Sequence, residues 1–210
     1  MAQNQEKILN DFLNVAAGRR VSVLDCHGLK GGSTAYFLWN CYVRVPQPIL
    51  VVTANARQAE ALWLDLQFFR TDARVPVLYF PPYNIQPYKM LAYHNETAAR
   101  RMKVLYTLLE APQPPIVVTT TAAFLKRLIP RGEVVDYAEL LMVGEEIDRA
   151  QLVEKLVEGG CTQAQIVEEP GDFSVRGGIV DIFSPLYDHP LRAEFFGDTI
   201  ESLRFFSADS

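Results

Sequence analysis

The sequence predicts an α/β domain followed by a smaller α+β domain, on three observations. Short apolar runs rich in β-branched residues (49–53, 75–80 and 116–120) alternate with helical patterns. Such uninterrupted runs mark strands buried on both faces of a parallel sheet that helices cover. After Pro130 the pattern changes to period-two alternation between Gly and Pro turns, which indicates an antiparallel sheet with one wet face.

The elements follow in order. Ile8, Leu9, Phe12, Leu13 and Ala16 form a helical stripe that Gly18 stops. Residues 21–25 (Val-Ser-Val-Leu-Asp) read as a buried strand that runs into a Gly-rich turn, 26–35, and then a helix through Tyr36-Phe37-Leu38-Trp39. Pro46 and Pro48 punctuate the chain before the strand Ile49–Thr53. A helix from Ala56 to Phe69 carries Ala59, Leu62, Trp63, Leu66 and Phe69, and a strand follows over Val75–Phe80. The stretch from Pro81 to Tyr88 is a loop of prolines and aromatics. Ala98 to Leu109 is a helix with Met102, Leu105, Tyr106 and Leu109 on its apolar side. Ile116–Thr120 is the next strand, and Thr121 is expected to cap a short helix through Leu128.

Beyond Pro130, residues 134–143 read as a strand region and Arg149–Val157 as a helix closed by Gly159-Gly160. Four alternating segments complete the chain: 165–167, 173–176, 179–183 and 191–196.

Composition narrows the function classes. A chain of 210 residues is one medium domain or a domain with an insertion, and 49% hydrophobic residues support a sizeable core. A net charge of -5 argues against autonomous nucleic-acid binding, which needs a basic face. Cys26, Cys41 and Cys161 are odd in number and have no C-x-x-C spacing, so reduced cytosolic thiols are expected. His27, His94 and His189 are far apart and give no metal site. The N-terminus is polar, and no apolar run approaches membrane length.

Strand, Gly-rich turn and helix is the context of a phosphate-binding P-loop, G-x-x-x-x-G-K-[ST]. With the frame started at Gly28, Gly31 and Gly32 lie inside the loop and Ser33 takes the place of the second glycine. Thr34 then stands where the lysine belongs, and Ala35 where the magnesium-binding hydroxyl belongs. Each charge-assisted hydrogen bond is worth about 1.5–3 kcal/mol, so nucleotide affinity is expected to fall by about three orders of magnitude. The competing reading is a plain Gly-rich strand-to-helix turn.

Other groupings carry less. Tyr83 and Tyr88 have the chemistry to stack on bases, and Arg100 and Arg101 to contact phosphates. Packing aromatics and a solvated basic helix face are the competing readings. No Ser-His-Asp or Cys-His arrangement presents itself.

The segment Phe173-Ser174-Val175-Arg176-Gly177-Gly178-Ile179-Val180-Asp181-Ile182-Phe183, followed by Glu194-Phe195-Phe196-Gly197-Asp198-Thr199-Ile200-Glu201-Ser202-Leu203-Arg204, is more distinctive. It resembles the F-x-x-R-G-G-I-x-D-I-F … E-F-F-x-D-x-I-E-S-L-R pattern of bacterial transcription-repair coupling factors. It is similar, more loosely, to the nucleotide excision repair protein UvrB. Pro81-Pro82-Tyr83, Glu96-Thr97-Ala98-Ala99-Arg100-Arg101 and Val117-Val118-Thr119-Thr120 extend the resemblance over nearly the whole chain.

The resemblance implies a helicase-lobe-like domain over 1–130, an inserted α+β domain over 131–204 and a return towards the first domain over 205–210. It implies a non-catalytic adaptor that recruits the excinuclease component UvrA to stalled RNA polymerase and restrains the motor of a longer parent. ATP and magnesium belong to that motor, as do the contacts with RNA polymerase and DNA. None of these cofactors is expected in this chain, which reads as a fragment or truncated homologue from a bacterial cytoplasm. By the resemblance, Arg176 contacts UvrA, with Phe173 beside it. Gln163 and Ser174 stand where UvrB carries two further arginines. The alternatives are a direct DNA-binding module and a weak nucleotide-binding domain.

Overall fold

Side-chain period decides the architecture of the first unit. The computed structural model describes residue 23 and residues 25–83, 95–136 and 141–207. Within them, helix α1 (Ser33–Arg44), strand β1 (Ile49–Thr53), helix α2 (Ala56–Phe69) and strand β2 (Val77–Phe80) follow one another, and helix α3 (Asn95–Glu110) precedes strand β3 (Ile116–Thr120). The three strands are parallel in the order β1-β3-β2, with Ile116 level with both Ile49 and Val77. Parallel strands demand crossovers, and α2 supplies the one from β1 to β2 at the far side of β3.

Every second strand residue faces one core. Ile49, Val51, Val77, Tyr79, Ile116 and Val118 meet Ala35, Trp39 and Tyr42 of α1 and Ala59 and Leu66 of α2. Two side chains of α2 also saturate an edge carbonyl: Trp63 Nε1 and Gln67 Nε2 both donate to the Val77 carbonyl at 3.0 Å. Among the described residues β1 is at the edge of the sheet, and Leu50 and Val52 on its other face are 52% and 44% exposed, so the expected burial of both faces is not seen there.

A short helix α4 (Thr121–Phe124) follows β3. Its cap is Thr120, whose hydroxyl accepts from the Ala123 N–H at 3.1 Å, so Thr121 is the first helical residue and the helix ends four residues short of Leu128. The strand expected over 134–143 is not formed where the chain is described. Arg131–Asp136 is helix α5, opened by the Pro130 carbonyl accepting from the Val134 N–H.

The second unit is built on helix α6 (Arg149–Glu158) and five strands: β4 (Thr162–Gln163), β5 (Asp172–Arg176), β6 (Ile179–Ile182), β7 (Leu191–Phe196) and β8 (Thr199–Phe205). They lie in sequence order; β5 to β8 form an antiparallel meander, and β4 is parallel to β5. The strand expected at 165–167 is therefore displaced to 162–163. Leu152 and Leu156 of α6 pack on Phe173, Val180, Ile182, Ala193, Phe195 and Ile200 of the sheet. Asp148 fixes the start of α6: one carboxylate oxygen accepts from the N–H groups of Ala150 and Gln151.

By their contacts, residues 1–82 and 110–126 cluster as one unit, and residues 83–109 and 127–210 as the other. The sequence reading keeps 83–109 with the first domain. Lys103 pairs with Asp188 at 3.0 Å, and α3 lines a cavity of about 240 Å³ with α6 and the sheet's end, so these residues group with the second unit. Residues 205–207 also remain with it, the Phe206 N–H donating to the Pro190 carbonyl at 3.0 Å.

Candidate interaction surface

The Gly-rich motif at 176–179 shapes the β5–β6 hairpin. Gly177 turns the chain at a φ of +60°, where a side chain would be strained. Gly178 is needed for a different reason: a Cβ there would lie 2.7 Å from the Phe195 carbonyl oxygen of β7. The Phe195 N–H donates to the Gly178 carbonyl, at the place where the β7–β8 register shifts between Glu194 and Phe195. The Arg149 guanidinium donates to the Gly177 carbonyl and so ties the turn to the start of α6.

The pleat then sorts the motif's side chains. Residues level across β5, β6, β7 and β8 share a face: Ser174, Asp181, Arg192 and Arg204 form one row on the face away from α6, with Arg176, Glu194 and Ser202 beside them. Asp181 is the centre of this row. Its carboxylate is 2% exposed and accepts from Arg176 Nη2 at 2.6 Å, from Arg192 Nε at 2.6 Å and from Arg192 Nη2 at 2.7 Å. Burial alone would raise its pKa; the hydrogen bonds from Arg192 and Arg176 outweigh that and hold it below the ordinary 3.8. Arg192 also lies over the Phe206 ring, 4.7 Å from its centroid. Next to it, Glu194 accepts from Arg204 Nη2 at 2.6 Å and from the Ser202 hydroxyl at 2.7 Å.

The expected partner-binding residues do not form one surface. Arg176 and Arg204 are the open cations of the row, with side chains 55% and 56% exposed. Ser174 shares the face but is buried, its hydroxyl donating to the Gln165 carbonyl at 3.3 Å. Phe173 points the other way and is wholly buried in the core, which removes it as a contact residue. Gln163 is exposed and lines a hollow with Arg149, Val153 and Val175 on the α6 side, opposite Arg176. Sequence reasoning missed Asp181, Arg192, Glu194 and Arg204. The signal was present in the alternation of Arg192 with Glu194 and in the only acid inside the Ile-Val-Asp-Ile strand.

Of the expected DNA contacts, Tyr83 and Arg101 come together. Arg101 is 4% exposed, with its guanidinium 4.3 Å from the Tyr83 ring centroid; it is a packing cation and not part of a solvated basic face. Burial lowers its pKa. Arg100 is exposed, and Tyr88 lies outside the described residues.

In the Gly-rich turn, Gly28 and Gly31 have positive φ, and α1 begins at Ser33 after Gly32. The Ser33 hydroxyl accepts from the Lys30 N–H and donates to the Lys30 carbonyl, both at 2.7 Å, and Thr34 is half-buried. The strand expected at 21–25 lies largely outside the described residues; Val23 is 88% exposed. Among the described residues no cluster of His, Cys, Asp and Glu fits a metal ion, and no helix is long and apolar enough to cross a membrane.

The sheet, its charged row and α6 all fall within residues 140–210, which match the family model of the UvrB interaction domain. Over longer stretches the chain is similar to transcription-repair-coupling factors. It is 35% identical to that of Myxococcus xanthus over 198 residues, 33% to that of Bacillus subtilis over 183, and 36% to that of Mycobacterium tuberculosis over 166. These alignments cover 92%, 87% and 76% of the chain but only 16%, 15% and 13% of the relatives. The chain belongs to the transcription-repair-coupling factor family and corresponds to its N-terminal region.

Proposed function

We propose that the chain is a non-catalytic adaptor of transcription-coupled nucleotide excision repair that recruits the excinuclease component UvrA to stalled RNA polymerase. The observation that carries this reading is the position of the exposed Arg176 and Arg204 on a preformed sheet face inside the matched UvrB interaction domain. In this reading 1–130 is a helicase-lobe-like domain and 131–204 an insertion that meets UvrA. The longer parent is an ATP-dependent DNA translocase of the bacterial cytoplasm; its other parts hold ATP, magnesium, DNA and RNA polymerase, and this region restrains the motor.

The reading takes Gly28, Gly31, Gly32, Ser33 and Thr34 as a phosphate loop without function. Its support is chemical: no lysine opens α1, Ala35 is wholly buried where a metal-binding hydroxyl would be, and Ser33 is already engaged with Lys30. The buried Arg101 and the net charge of -5 weigh against direct DNA binding.

Calorimetric titration of the chain with UvrA, and separately with ATP and magnesium, tests this function. Micromolar or tighter binding to UvrA with no heat from ATP is expected. No binding to UvrA, or ATP binding of comparable affinity, overturns it.

A further inference from the structure

We propose that Asp181 is the positioning residue of the docking face: together with Arg192 it fixes the orientation in which Arg176 is offered to an acidic surface of the partner. The inference rests on the adaptor reading above and goes further by naming residues that act through Arg176. It also commits to the partner chemistry, a carboxylate-bearing patch of UvrA.

The geometry carries it. A long arginine side chain on an open sheet face samples many rotamers, and fixing it at binding costs conformational entropy. Here one nitrogen of Arg176 is already held at 2.6 Å by a carboxylate that is itself immobile, since Arg192 grips both of its oxygens from the next strand. More than half of the Arg176 side chain remains exposed, which leaves other guanidinium N–H groups to face outward. The open groups give the sign of the partner. Arg176 and Arg204 extend past the carboxylates that hold them, with side chains 55% and 56% exposed, so the groups this face offers outward are cations. Arg192 and Arg204 are directly opposed across β7 and β8, a destabilising pairing unless carboxylates intervene. Asp181 and Glu194 each take one of them, which keeps the row together while its open ends, Arg176 and Arg204, stay cationic.

The test is a double-mutant cycle on the full 210-residue chain, with affinity for UvrA as readout and circular dichroism as the check on folding. Asp181→Asn is expected to weaken binding at least tenfold in the wild-type background and to have no further effect in the Arg176→Ala background. A purely structural role would weaken both backgrounds equally, and that result overturns the proposal, as does unchanged affinity. If Asp181→Asn does not fold, Arg192→Lys replaces it: the charge stays but the two-oxygen grip is lost, and the same tenfold, background-dependent loss is expected. Absence of wild-type binding removes the adaptor reading and this inference with it. Binding lost in Arg176→Ala but untouched in Asp181→Asn removes only the inference.

Discussion

Asp181 shows how one carboxylate can sit on a sheet and remain charged. Its ion-pair partners hold its pKa below 3.8, so its stabilising contribution is fully present above that value and is lost as pH falls through the folded-state pKa. Asp181→Asn is therefore expected to cost about 2 kcal/mol at neutral pH, because the two arginines left behind are hydrated at least in part. The difference between wild type and variant should shrink as pH falls below the ordinary carboxylate value of 3.8, as measured by urea denaturation at each pH. A difference that stays constant below that value would contradict the assignment. Gly178 gives a second prediction at this scale. An added Cβ would lie 2.7 Å from a backbone oxygen, so β6 and β7 must separate locally. Gly178→Ala should destabilise by about 2 kcal/mol in chemical denaturation, whereas Gly132→Ala, which meets nothing within 4 Å, should cost far less. The motif's glycines, its arginine and the wet-face alternation were legible in the sequence. Which side chains Asp181 would meet was not. Arg176 and Arg192 lie 5 and 11 positions away, and they reach it only through a strand register that local patterns do not specify.

Among elements, α6 has the clearest local signal. Asp148 caps it with a side-chain oxygen on two otherwise unsatisfied N–H groups, and its apolar stripe supplies Leu152 and Leu156 to the core. Asp148→Ala should lower stability by about 1 kcal/mol, read from the shift of the urea midpoint at unchanged slope. Long periodic helices such as α2 were legible for the same reason: their pattern repeats over 14 residues. The short elements were not. β4 has two residues and exists through its pairing with β5, while α5 reads as strand because Val134 and Val135 favour strand when taken alone. The cap of α4 reads one residue late because consecutive threonines, 119–121, offer the same capping chemistry, and only the hydrogen bond to Ala123 separates them.

At the scale of the whole molecule, the charge balance bears on the DNA-binding alternative. Carboxylates outnumber basic side chains by 25 to 20, and Arg101 is committed to Tyr83. The chain is expected to migrate identically with and without duplex DNA at low salt, and to show no thermal shift with millimolar ATP and magnesium. A salt-sensitive mobility change would restore the DNA-binding alternative. The α/β class and the antiparallel second half were legible because they follow from strand composition. The grouping of residues 83–109 with the second unit was not, because it rests on side chains such as Lys103 finding Asp188, 85 positions away.

The buried carboxylate of Asp181 has a consequence for strand register. A slip of β6 by one residue against its neighbours would invert its faces and carry Asp181 into the apolar layer of Phe173, Ala193 and Phe195, away from Arg176 and Arg192. An unpaired carboxylate there costs several kcal/mol, far more than the slip could recover through backbone pairing. The same acid that steadies Arg176 thus favours one alignment of the strands over its neighbours in register.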